Sequence, residues 1–188
     1  MFELLSNFID KSHPVTLGVL LMLTLYFLII NWVFFYRWLA LNEWISQENE
    51  SLESLLMGAQ RLNDYAFLAP FLKSGTLYSK ALFDLAQFAA TKEATKGLTI
   101  LSIVASTTPF IGLFGTVVSI LDTFKNIGQA SGTMSIIAVG VSDALIATAS
   151  GIFVAIFAYS YHQILKRQSF EVVGLIRMQS DSLLSKVD

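Results

Sequence analysis

The sequence predicts an all-α integral membrane protein with three transmembrane helices and a cytoplasmic helical hairpin between spans one and two. Two observations carry this. The 188 residues are 54% hydrophobic and only 14% charged, a surplus of apolar side chains that a soluble domain cannot bury. Those side chains also gather in three runs, residues 15–36, 97–121 and about 133–161, each reaching the roughly 20 apolar residues that a hydrocarbon core about 30 Å thick requires. The formal net charge of -2 leaves no electrostatic footprint for nucleic acid. With no Cys, disulfides, thiolate metal sites and Cys nucleophiles are excluded.

Residues 1–14, "MFELLSNFIDKSHP", form a short non-basic leader to span one. The run behind it is too long for a secretory h-region and has no small-residue cleavage site after it, so residues 15–36 are expected to stay as an anchor. The N-terminal stretch holds Lys11 alone and the 122–132 turn Lys125 alone. Arg37, Arg61, Lys73, Lys80, Lys92 and Lys96 lie between spans one and two, and Lys166, Arg167, Arg177 and Lys186 follow span three. The positive-inside rule then predicts a periplasmic N-terminus and 122–132 turn, with residues 37–96 and 162–188 in the cytoplasm. Trp32, Phe34, Phe35, Tyr36 and Trp38 around Arg37 suit the inner interface, where amphipathic rings and a snorkelling cation settle.

In residues 37–96, "NEWISQENESLESLLMGAQRL" sets Trp44, Leu52, Leu55, Leu56 and Leu62 at helical spacing among Glu48, Glu50 and Glu53. "LYSKALFDLAQFAA" repeats the pattern with Leu77, Ala81, Leu85 and Phe88. Pro70 and the "KSG" at 73–75 punctuate the two stretches. The expectation is a helical hairpin whose second helix runs directly into span two, with the glutamates on a solvated face. Residues 162–188 are expected to continue as a C-terminal helix.

Span two, "TPFIGLFGTVVSILD", carries Ala105, Thr108, Gly112, Gly115, Thr116, Ser119 and Asp122 on one stripe. Pro109 removes a helical donor, a place for a kink and for a nearby hydroxyl or water to satisfy the freed carbonyl. Span three has its own small stripe, Gly140, Ala144, Ala147, Thr148, Gly151, Ala155 and Ala158. Such stripes let helix backbones approach closely, and helix packing accounts for most of the Gly and Ala positions. The hydroxyls of Thr108, Thr116 and Thr148 have two readings, a bond to their own helix or a place in a polar path.

Asp143 resists a packing explanation. It lies about ten residues into span three, near mid-membrane, where insertion scales charge an Asp roughly 2.5–3.5 kcal/mol. No Lys, Arg or His lies within any span, so its partner is expected to be water, a Thr or another polypeptide.

"TTPFIGLFGTVVSILDTFKNIG" followed by "SIIAVGVSDALIATASGIFVAIFAY" resembles the TolQ/ExbB/MotA proton-channel family over about residues 97–165, the TolQ and ExbB branch in particular. The resemblance implies an inner-membrane motor that converts proton flow into force on the cell envelope, the proton being its coupling ion with no other cofactor. In that family a homo-oligomeric ring of five copies surrounds the single spans of two TolR- or ExbD-like partners that bear an essential Asp, and a TolA- or TonB-like protein is a third component. It also implies that Thr116 and Thr148 face the partner's carboxylate and that Asp143 stands where relatives carry Glu, its carboxyl reaching one methylene less far. Ile156-Phe157 stands where many relatives read Ile-Pro, so the inner end of span three is expected to be straighter. The resemblance inclines slightly to the TolQ role, in outer-membrane integrity and cell division, over the ExbB role in energising outer-membrane uptake. A structural scaffold in which Asp143 only fixes helix register is the reading of another class. An enzyme is not expected, because His13 and His162 stand in the flanks and no Ser-His-Asp, P-loop or metal spacing appears.

Overall fold

A computed structural model describes residues 14–59, 62–74, 79–127 and 133–185. It is all-helical among them: α1 (Pro14–Leu56), α2 (Ala69–Ser74), α3 (Lys80–Ala94), α4 (Leu98–Ile127) and α5 (Thr133–Leu184). Three of these, α1, α4 and α5, are long and apolar enough to cross a membrane. Residues 1–13 with Lys11 and His13, as well as Arg61, Leu77 and residues 128–132 of the turn, lie outside the described residues.

Local chemistry explains where the helices stop. Pro14 opens α1, a position where a missing N–H costs nothing. At the far end Gly58 takes φ +98°, its N–H bonds the Leu55 carbonyl at 3.2 Å, and the Ala59 N–H bonds the Ser54 carbonyl at 3.1 Å. That is a Schellman closure, and the left-handed residue it needs is the glycine. Ser79 caps α3 by accepting from the Leu82 N–H.

The chain divides into two compact units. One holds residues up to Trp32 with Ile100–Tyr161; the other holds Val33–Thr99 with residues from His162 onward. In the first, α4 and α5 meet through small side chains, and α1 adds larger ones to the inside. Val19, Leu23 and Ile30 of α1, Gly112, Gly115 and Ser119 of α4, and Ala144, Ala147, Gly151 and Ala158 of α5 are buried. Leu28, Phe110, Phe114, Leu121, Leu145 and Ile156 are exposed. This inversion suits a lipid surround, where large apolar side chains have nothing to flee and close backbone approach supplies the attraction. Phe157 packs edge-on against Phe27 at 5.5 Å, and the Tyr161 hydroxyl donates to Asn31 Oδ1 at 3.0 Å. Through this region α5 continues unbroken, and Phe157 secures it to α1.

The second unit has an ordinary core of Leu41, Leu55, Phe83, Leu165, Val172 and Ile176. Four of its features differ from the sequence reading. The first hairpin stretch is no separate helix, because α1 carries it on from span one without a break. Nor does α3 run directly into span two: it ends at Ala94, and a turn at residues 95–97 precedes α4. Gly97 makes that turn at φ +84°. Arg37 seals it, Nη2 donating to the carbonyls of Glu93 at 2.8 Å and Ala94 at 3.0 Å, while Ser169 Oγ donates to the Ala94 carbonyl at 2.7 Å.

The third difference is the face of α3. Ala81, Leu85 and Phe88 are exposed, and Phe83, Ala86, Ala90 and Ala94 are buried instead. The helix is apolar on two faces, and the chain covers the one whose alanines admit closer neighbours. Last, Glu50 and Glu53 are exposed as expected, but Glu48 is completely buried. Its Oε1 accepts from the Trp44 indole N–H at 3.0 Å and the Phe67 N–H at 2.8 Å, and its Oε2 accepts from Gln179 Nε2 at 2.8 Å. Three donors converge on the carboxylate and substitute for its lost hydration.

Candidate functional site

The site lies in the first unit, where α4 and α5 cross through their glycines. A Cβ on Gly112 would come within 2.8 Å of the Ala147 carbonyl oxygen, and one on Gly151 within 2.6 Å of the Thr108 carbonyl oxygen. Hydrogen in place of a side chain is what lets the two backbones touch. On that contact the two stripes face each other, so Gly115 meets Ala147 and Val19 of α1. Within one chain the two stripes pair with each other, as helix packing of their Gly and Ala positions requires.

The close approach brings Thr116 and Thr148 together. Their hydroxyls are in hydrogen-bond contact with each other. Thr116 Oγ1 also reaches the Ala144 carbonyl at 3.0 Å and the Gly112 carbonyl at 3.2 Å, and Thr148 Oγ1 reaches the Gly112 carbonyl at 3.4 Å. Two hydroxyl protons serve these four contacts. Thr148 can donate to Thr116 while Thr116 donates to Ala144, or Thr116 can donate to Thr148 while Thr148 donates to Gly112, with the same number of bonds in each case. Both residues are half-buried, so a third group can join the pair.

Asp143 immediately precedes the Ala144 whose carbonyl accepts from Thr116. It is only 8% exposed and is engaged within the chain. A carboxyl that lipid would penalise is thus turned into the helix bundle. Ser119 is buried, its hydroxyl donating to the Gly140 carbonyl at 3.3 Å. Gly140 in turn lies against Thr123.

Other sequence candidates resolve differently. The Thr108 hydroxyl bonds its own helix at the Val104 carbonyl, 2.9 Å away, and stands apart from the Thr116–Thr148 pair. Around Pro109, α4 continues as a helix. The neighbouring hydroxyls of Ser106 and Thr107 bond the Ile103 carbonyl rather than that of Ala105, which the proline deprives of a donor. Ala155 is a buried packing residue beside Ala158. Among the described residues no group of three or more His, Cys, Asp or Glu could hold a metal ion.

The family model described as the MotA/TolQ/ExbB proton channel family matches residues 78–178, from α3 through both facing stripes to the last turns of α5. The chain belongs to that family. It is 41% identical to the ExbB-like 1 protein of Helicobacter pylori strain J99 over 188 residues, covering 99% of this chain and 100% of the relative. Shorter similarities reach the biopolymer transport protein ExbB of Neisseria gonorrhoeae, 52% over 73 residues (38% of this chain, 33% of that one), and the Tol-Pal system protein TolQ of Pseudomonas aeruginosa, 38% over 78 residues (41% and 34%). As a MotA/TolQ/ExbB chain with three apolar helices, it is a multi-pass membrane protein and a proton channel subunit.

Thr16 of α1, completely buried, escaped the sequence reading although Thr16, Val19, Leu23 and Ile30 mark the inward face of that helix at helical spacing. Glu48 likewise falls midway between Leu41 and Leu55, seven residues from each, on the α1 face that is buried.

Proposed function

We propose that this chain is the channel subunit of a motor driven by the proton-motive force in a bacterial inner membrane, and that Asp143 with the Thr116–Thr148 pair forms its part of the proton path. The observation that carries this is a buried carboxyl beside two coupled hydroxyls between apolar helices. A hydroxyl pair that rearranges without losing a bond can solvate a partner's carboxylate when it is charged and release it once it is protonated. Each proton moving through about 100 mV supplies about 2.3 kcal/mol for that cycle.

The ring of five copies, a pair of TolR- or ExbD-like single-span partners with an acid in the span, a TolA- or TonB-like third component, and a periplasmic N-terminus with cytoplasmic C-terminus complete the proposal. Family membership and the charge asymmetry of the flanks support it. End-to-end identity with an ExbB-like protein favours energising transport across the outer membrane over the TolQ role to which the motifs alone incline. The similarity to TolQ over 78 residues supports the second reading.

The test is proton uptake by vesicles that contain the complex purified from its own membranes. Asp143→Asn should lower the flux by about 100-fold or more, as expected when a positioned proton carrier is lost. An assembled Asp143→Asn complex with undiminished flux would leave the scaffold reading. Native mass spectrometry of the same preparation should find five copies with two single-span proteins, whose sequence decides between the ExbB and TolQ roles.

A further inference from the structure

Thr16 has a hydroxyl that nothing among the described residues satisfies. The residue is completely buried, and its Oγ1 has no hydrogen-bond partner among them. Burying an unmet hydroxyl is costly, and threonines inside a helix ordinarily avoid it by bonding a carbonyl of their own preceding turn, as Thr24 and Thr108 do here; Thr16, the third residue of α1, has no preceding turn among the described residues.

Three helix registers fix what lies level with it. First, α1 and α5 run parallel, with Phe27 against Phe153 and Phe157 and Asn31 bonded to Tyr161. Moving back three turns on both helices, roughly eleven residues, brings Thr16 level with the turn that contains Asp143. Second, Val19 packs on Gly115, and α4 runs antiparallel to α5, so one turn back from Val19 puts Thr16 beside the turn of Ser119. Third, Ser119 itself bonds the Gly140 carbonyl, one turn before Asp143 on α5. The three registers agree on one buried layer composed of Thr16, Ser119 and Asp143, at 0%, 3% and 8% exposure.

We propose that Thr16 is a further residue of the proton pathway: with Ser119 and Asp143 it holds a water molecule through which protons reach the acid. The proposal rests on the proton-conducting reading above and extends the site to the first span. A buried water needs two to four polar partners, and a hydroxyl, a second hydroxyl and a carboxyl in one layer provide them. The hydroxyl of Thr16 both donates and accepts, so it can hold the water in either orientation as a proton passes.

Thr16→Val and Thr16→Ser separate this role from packing. Valine keeps the shape and removes the hydroxyl; serine keeps the hydroxyl. The experiment uses the complex purified with its native partner in liposomes, a potassium–valinomycin potential, an internal pH dye, and the thermal midpoint of each variant. Thr16→Val is expected to lower proton flux at least about tenfold, with Thr16→Ser close to the parent. Its midpoint should stay close to the parent's, because valine keeps the shape and only the bond to the water is lost. A protein in which Thr16 only packs would show the reverse order. Flux within about twofold of the parent in Thr16→Val, alongside an inactive Asp143→Asn, overturns the Thr16 role and leaves the proton-conducting reading standing. Flux lost equally in Thr16→Val and Thr16→Ser, with both midpoints lowered, assigns Thr16 to packing and overturns it too. Full flux in Asp143→Asn overturns the parent reading and this one with it.

Discussion

The two units of this chain solve the same packing problem with opposite materials. In the unit that contains the facing stripes, glycine and alanine are inside and Phe110, Phe114 and Ile156 are outside; in the other, Phe83, Leu165 and Ile176 are inside. Water drives the second arrangement, because removing apolar area from water is favourable at about 25 cal/mol per Å². Lipid offers no such gain, so the first unit depends on backbone proximity and on hydroxyl bonds such as Thr116 to Ala144. The polar groups differ as well. One unit holds half-buried hydroxyls that can exchange partners, and the other buries Glu48 under three converging N–H donors that fix it in place.

The sharpest way to break this comparison is to give the first unit the kind of side chain that the second requires. Gly151→Leu would drive a branched chain into the Thr108 carbonyl, a backbone atom that cannot swing aside. Overpacking usually costs about 1–3 kcal/mol, and where two backbones must separate the loss should lie at or beyond the upper end. Denaturant unfolding in detergent should show it. The hydrogen bond between Thr116 and Thr148 should break in the same variant, because the two hydroxyls meet only while the helices touch. If Gly151→Leu unfolds like the parent, close backbone approach is not what holds this unit together.

The complementary test acts on the second unit. Glu48→Ala strands the Trp44 indole N–H, the Phe67 N–H and one N–H of Gln179 Nε2, whose other bond, to the residue-48 carbonyl at 2.9 Å, remains. Each unmet donor costs about 1–3 kcal/mol, with some relaxation between them, so the variant should lose about 3 kcal/mol. Combining it with Gln179→Leu removes one stranded donor and should recover part of that loss, a coupling that a double-mutant cycle reads directly. Additive losses would mean that the tail of α5 is not held through this carboxylate.

The membrane unit was legible in the sequence because lipid simplifies the pattern: large residues segregate from small ones, and the small set marks the interface. The glycines and the alanine through which α4 and α5 touch, Gly112, Gly115, Ala147 and Gly151, all stand on the stripes that the sequence lines up. Which surface the stripes would meet was not legible, since a small-residue face fits a neighbour in the same chain as well as a partner. The other unit resisted for a different reason. In α3 apolar residues occupy two faces, and periodicity alone selected Leu85 and Phe88 over Phe83 and Ala86. Glu48 reads as a solvated charge until residues far away in the chain, Phe67 and Gln179, supply its donors. Arg37 reads as a snorkelling cation, and only the fold reveals the two carbonyls it seals.

The smallest effect should come from a glycine that the comparison says is unnecessary. Gly174 sits inside α5 in the second unit, and a Cβ built on it would meet nothing within 4 Å. Its backbone is helical and it has no positive φ, so none of glycine's special freedom is in use. What glycine adds there is entropy in the unfolded chain, which folding must remove. Gly174→Ala should therefore stabilise the protein by about 0.5–1 kcal/mol, read as a small rise in the midpoint of the same unfolding curve. At Gly112 the identical change would push a methyl group within 2.8 Å of the Ala147 carbonyl oxygen and should destabilise. One substitution with opposite signs in two helices of one chain separates glycine as a contact from glycine as mere flexibility. A loss at Gly174 would instead indicate that this face of α5 is covered by a close neighbour in the assembled protein, where the hydrogen is needed after all.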